Sequence, residues 1–136
     1  MFSVRMRVWN PARTENVEEF DASVDPRSTF SWISRTRLER LGIVPSRKMR
    51  FRLKGEWVVE REVASVYIAM EGGTIGDVVV VAEGRETETA GAHTLHAFGV
   101  EADLEHGKLV PTVMWALGSV KAVNVDQKHY EALARS

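Results

Sequence analysis

The chain of 136 residues contains no cysteine. That excludes a disulfide framework and a thiol nucleophile. Neither sign of charge dominates: 18 Lys and Arg stand against 19 Asp and Glu, a net charge of −1. A general nucleic-acid-binding protein would carry a basic surplus, so nucleic acid is not an expected partner. Long apolar runs are missing too. The longest, Val78-Val79-Val80-Val81-Ala82, falls far short of the roughly 20 residues that span a bilayer as a helix. Met1 to Arg7 alternates apolar and basic residues and has no apolar signal core. The expectation is a cytoplasmic protein without membrane association. No repeat or low-complexity segment is evident. By size the chain is one domain, able to bury about two-thirds of its unfolded surface.

What is present is mostly period-two alternation. Phe2, Val4, Met6 and Val8 alternate with Ser3, Arg5, Arg7 and Trp9, which predicts a half-buried strand. A polar loop, Asn10 to Asn16, leads to a second strand, Val17 to Val24. Met49, Phe51 and Leu53 alternate with Arg50 and Arg52; Val58 to Met70 alternates again. The turn Lys54-Gly55-Glu56-Trp57 joins them into a hairpin. Thr74 to Glu83 is a further strand, and Val78 to Val81 is apolar on both faces, so this strand is expected to be central. Ser34 caps a short helix that carries Leu38 and Leu41 on one face and ends at Gly42. Ala90 to Gly99 reads as a second short helix. Val100 to Leu104 and Leu109 to Pro111 are short strands around a turn. In the tail, strands are expected at Val113 to Leu117 and Val120 to Val125, then a helix over Asp126 to Arg135. The architecture expected is mainly β, a closed barrel with two short helices.

The centre of this pattern is Ala22 to Ile33, which reads as strand, turn, strand. Asp25-Pro26-Arg27-Ser28 is the turn. Asp can bond back to its own turn, and Pro presets φ. A carboxylate at such a tip, between apolar strands, is either a turn-former or a catalytic acid.

The surrounding order of residues resembles the retropepsin-like aspartic proteases. Their signature is an apolar residue, Asp-Thr-Gly-Ala/Ser-Thr, an apolar strand, a short helix and Leu-Gly-Ile/Val. Val24-Asp25, Ser28-Thr29, Phe30 to Ile33 and Leu38 to Ile43 match. Leu95, Phe98-Gly99-Val100, Asp103, Gly107, Leu109 and Pro111 fall in register with the family's second half. Pro26 and Arg27 stand where the family has Thr and Gly, and Thr89-Ala90 replaces an apolar pair before Gly91. The resemblance implies a retropepsin-like acid-protease barrel over residues 1–111. It makes the hairpin a flap with its tip at Lys54, Gly55, Glu56 and Trp57. Residues 112–136 are a C-terminal extension packing on the barrel or at a dimer interface. Asp25 would be the catalytic residue, in a homodimer, with no cofactor and no metal.

Aspartic proteolysis needs two carboxylates sharing one proton. One Asp turn per chain therefore demands a two-fold dimer. In the family the Thr hydroxyl braces the two turns and Gly leaves room for coplanar carboxylates. Pro26 has neither hydroxyl nor N–H. Arg27 adds bulk and a permanent cation, which favours ionised Asp25 over a half-protonated pair. The expectation is an Asp25–Arg27 ion pair, within one chain or across the dimer. Peptidase activity would be lost or nearly lost, leaving a homodimeric binding or scaffold module that takes a polypeptide or peptide ligand. Two alternatives stay open: an active dimeric aspartic endopeptidase using Asp25 of each chain, and an interaction domain acting through its tail or basic face. Two weaker constellations remain. His93 and His96 share a helix face and would need His106, His129 or a carboxylate to hold a metal; a solvated pair is the simpler reading. Arg35, Arg37, Arg40, Arg47, Lys48, Arg50 and Arg52 form a local basic excess, read as a solvated face offset by nearby Glu residues.

Overall fold

The period-two segments do become strands in the computed structural model, which describes residues 1–116 and 127–135. Strand β1 (Ser3–Asn10) buries Met6 and Val8 and exposes Arg5 and Arg7. It pairs antiparallel with β2 (Arg13–Val24). The second strand thus begins four residues before the expected Val17. Only Pro11 and Ala12 form the turn, because the Asn10 side chain accepts the Ala12 N–H at 2.9 Å and folds the chain back at once. Polar residues Arg13 to Asn16 then continue an exposed ladder, which alternation of apolar residues cannot reveal.

Strand β3 (Trp32–Ser34) runs into helix α1 (Arg35–Arg40). Ser34 Oγ accepts the Arg37 N–H at 3.2 Å as its cap, and Gly42 takes a φ of +68° just beyond it. The hairpin follows as β4 (Arg47–Arg52) and β5 (Val58–Met70), then β6 (Gly73–Ala82). Thr89–Ala90 is a two-residue strand, β7, and helix α2 is correspondingly shorter than expected, Ala92–Ala97. Strands β8 (Val100–Asp103) and β9 (Lys108–Pro111) form a separate pair. A helix α3 (Gln127–Arg135) matches the expected terminal helix.

The large sheet has the order β1-β2-β7-β3-β6-β5-β4, and β1 also pairs with β5. Most pairs are antiparallel; β2–β7 and β3–β6 are parallel. β6 lies between β3 and β5. Its valines therefore serve both faces: Val79 and Val81 enter the main core with Met6, Ile33 and Ile68, while Val80 joins a second cluster with Trp32 and Val63. That is why the run is apolar without alternation. The described chain is mainly β, as expected.

The tail departs from expectation. Thr112 N–H still bonds the Gly99 carbonyl at 2.9 Å, but Val113 to Ala116 are not strand. Val113 and Trp115 are 94% and 87% exposed. No ladder continues beside them among the described residues. The expected strand at Val120 to Val125 lies outside the described residues. Among the described residues no helix is long and apolar enough to cross a membrane.

Candidate functional site

Strands β2 and β3 both pair with β7, and the segment joining them carries Asp25. Asp25 N–H donates to the Ala90 carbonyl at 3.0 Å. The turn closes when Ser28 N–H donates to the Asp25 carbonyl at 3.1 Å, with Pro26 at its second position. Helix α2 then grips the loop that follows. Ala92 and His93 N–H donate to the carbonyls of Ser28 and Thr29 at 2.7 and 2.8 Å. Gly91 makes this approach possible: a Cβ there would sit 2.3 Å from the Phe30 carbonyl oxygen.

The Asp25 carboxylate is taken by Arg27. Oδ1 accepts the Arg27 backbone N–H and Nε–H, both at 3.0 Å, and Oδ2 accepts Nη2–H at 3.2 Å. This is a forked, charge-assisted pair. Asp25 is 22% exposed and Arg27 73%. The guanidinium bonds hold the Asp25 carboxyl below the usual carboxylate range, against the opposing effect of burial. The expected ion pair thus forms within a single chain.

The β4–β5 hairpin borders the same region. Leu53 N–H donates to the Trp57 carbonyl at 2.7 Å, and Glu56 N–H to the Leu53 carbonyl at 3.1 Å. Gly55 and Glu56 both adopt positive φ, +87° and +67°. Between this hairpin and the Asp25 turn lies an open groove of about 850 Å³. Asp25, Arg27, Ser28, Thr29 and Lys54 line it; Pro26, Gly55, Glu56 and Trp57 do not. The floor is aromatic. Phe51 packs edge-on against Phe30, with centroids 6.2 Å apart, and against Trp32, at 5.5 Å. These residues are expected on strands, but Phe30 lies in the loop just before β3, and their convergence here is new. The signal was there, in the shared period of Phe30 and Trp32 with Met49, Phe51 and Leu53.

No family model matches this chain, and neither does any curated protein or solved structure.

A buried polar chain, not foreseen, braces the site from behind. Gly91 N–H donates to Ser31 Oγ at 2.9 Å. Ser31 and Thr94 hydroxyls are 2.6 Å apart, and Thr94 Oγ1 donates to Asp77 Oδ2 at 2.6 Å. Ser31 therefore gives its own proton to Thr94. Asp77 Oδ1 takes the Val78 N–H at 2.9 Å and lies 3.1 Å from His93 Nδ1. The Asp77 carboxylate is fully buried. A charged residue inside the valine strand was the available clue, since such a group is buried only when bonded.

The remaining candidates separate. His93 is engaged with Asp77, and His106 with Asp103 at 2.8 Å. Among the described residues no three His, Asp or Glu come together as a metal would need. The His129 side chain lies outside the described residues. Ion pairs take up Arg35, Arg37 and Arg40 of the basic cluster. Arg35 meets Glu83 and Glu62, and Arg37 forks onto Glu88 with both bonds at 2.9 Å while reaching Glu18 at 3.0 Å. Arg40 meets the same Glu18 at 2.7 Å.

Proposed function

We propose that this chain is a retropepsin-like closed barrel working as a homodimeric module that binds an extended polypeptide in its groove, with peptidase activity lost or nearly lost. The observation that carries the reading is the Asp25–Arg27 fork. Hydrolysis by a carboxylate pair needs one member protonated to donate to the scissile carbonyl and the other ionised to activate water. Arg27 holds Asp25 ionised and occupies both of its oxygens. Two such turns meeting at a dimer axis would present two neutralised ion pairs rather than a proton-sharing dyad. The closed-barrel reading is supported by the circuit of pairings through β1, β2, β7, β3, β6 and β5 back to β1. Binding is supported by what outlasts the chemistry: a large groove, an apolar floor and a hairpin above it. The exposed Val113 and Trp115 are apolar surface suited to a second copy.

The test is cleavage of an unfolded protein substrate, from acid to neutral pH, by the purified chain and by Asp25→Asn, with mass measured by light scattering. A dimer that cleaves nothing in either form is the expected result. Cleavage by the wild type that disappears in Asp25→Asn would overturn the reading of Arg27.

A further inference from the structure

We infer that the groove selects an extended peptide alternating apolar and acidic residues, laid along the free edge of β4; this rests on the peptide-binding reading above. In the large sheet β4 is the terminal strand and pairs only with β5. Its other edge borders the groove, which Met49 to Lys54 line. A strand edge with unpaired N–H and C=O groups is a template for an added strand.

The pleat of β4 then dictates what that strand should carry. Met49 and Phe51 are half-buried toward the aromatic floor, while Arg50 and Arg52 are exposed on the opposite face. An added strand shares these two faces residue by residue. Its alternate side chains fall on the floor or beside Arg50, Arg52 and Lys54.

The charge inventory sets the second class. Both carboxylates that line the groove are already matched: Asp25 by Arg27, and Glu86 by Arg61 at 2.8 and 2.9 Å. Arg50, Arg52 and Lys54 make no salt bridge among the described residues. The nearest carboxylate in register is Glu60, opposite Arg50, and Lys48 already lies 3.7 Å from it. The free edge is therefore flanked by surplus cations, which opposite charges on a neighbouring strand would satisfy. A single-stranded nucleic acid fits less well. The floor rings pack edge-on against one another and Trp32 is buried, leaving little ring face for a base to stack on.

The test is fluorescence anisotropy of the full chain with labelled decapeptides. The probes are alternating Leu/Glu, alternating Leu/Gln, alternating Leu/Lys, a Leu block followed by a Glu block, and a decathymidylate. Alternating Leu/Glu is expected to bind about tenfold more tightly than Leu/Gln, as three exposed cross-strand ion pairs would give. Leu/Lys and the block peptide should bind more weakly still. In Arg50→Ala/Arg52→Ala/Lys54→Ala, whose sites are all surface, Leu/Glu and Leu/Gln should bind alike. Equal binding of these two peptides by the wild type would overturn the charge selection and leave the groove reading standing. No binding by any peptide would overturn the groove reading itself. Tighter binding of the decathymidylate than of every peptide would assign the groove to nucleic acid.

Discussion

Replacing Gly91 by Ala should cost far more than a methyl group usually does. The backbone of Gly91 has φ −95° and ψ 172°, open to any residue, so the cost is steric alone. The new Cβ would lie 2.3 Å from the Phe30 oxygen, 2.5 Å from its carbonyl carbon and 2.8 Å from the Ser28 oxygen. Ordinary contact needs about 3.5 Å. All three atoms are backbone and cannot rotate aside. The loop must therefore retreat from α2 by about 1 Å, taking with it three bonds: Gly91 N–H to Ser31 Oγ, Ala92 N–H to Ser28 and His93 N–H to Thr29. Overpacking costs about 1–3 kcal/mol. Weakening three hydrogen bonds adds about 1 kcal/mol each if they are lost. A total of at least about 4 kcal/mol is a large part of the roughly 5–15 kcal/mol that holds a domain together. In urea, with a slope of about 2 kcal/mol per molar, the midpoint should fall by about 2 M. Gly72 supplies the control: it has φ +94° with nothing within 4 Å of a Cβ. Gly72→Ala carries only the conformational penalty, about 1–2 kcal/mol. Both can be followed by tryptophan fluorescence, since Trp32 is buried. A Gly91→Ala midpoint equal to or above that of Gly72→Ala would refute the steric argument. Peptide affinity should fall with Gly91→Ala as well, because the displaced loop carries Phe30 of the groove floor.

Arg37→Ala should cost about 2–4 kcal/mol in urea unfolding. It removes the fork to Glu88, the bond to Glu18 and a guanidinium 4.2 Å above the Phe20 ring, leaving a mostly buried Glu88 with the Ser34 N–H but no cation. A loss below about 0.5 kcal/mol would place the network among ordinary surface pairs. Arg27→Ala should raise the Asp25 titration toward the ordinary carboxylate range, read by carbon NMR of its carboxyl group. The sign follows from a folded-state value depressed by Arg27. Wild-type Asp25 contributes stability above its unfolded titration and loses it as pH falls through the folded one. The variant should therefore be less stable than wild type at neutral pH, with the gap closing in acid. Identical titrations in the two proteins would deny the ion pair. Thr94→Val keeps the shape but breaks the path from Ser31 to Asp77, and should cost about 2–3 kcal/mol. An unchanged melting temperature would mean the buried carboxylate needs no such support.

How far the sequence could be read depended on the range of each interaction. Met6 and Val8 declare their strand because the pleat itself sets a period of two. Ser34 and Gly42 declare the ends of α1 because capping is decided within four residues. The Asp25–Arg27 pair belongs to the same class: two positions apart in a tight turn, the groups meet whatever the rest of the chain does. Other features depend on partners that no local pattern names. Arg35 finds Glu83 across 48 positions and Arg37 finds Glu88 across 51, so the first part of a run that reads as a basic face becomes a set of ion pairs. Thr89–Ala90 has too little sequence to announce a strand, and exists because β2 and β3 lie on either side of it.

The same distinction bears on function. In the dimer proposed above, a second carboxylate for Asp25 would come from another copy of the chain, at the longest range of all. Arg27 competes for that carboxylate from two residues away, at 3.0 Å, before any dimer forms. A distant partner can displace it only by offering the carboxylate more than a forked guanidinium and a backbone N–H already do. Another ionised Asp25 offers repulsion instead. A turn that holds Asp25 in this way therefore keeps its charge, whatever the strands, the floor and the groove around it bind.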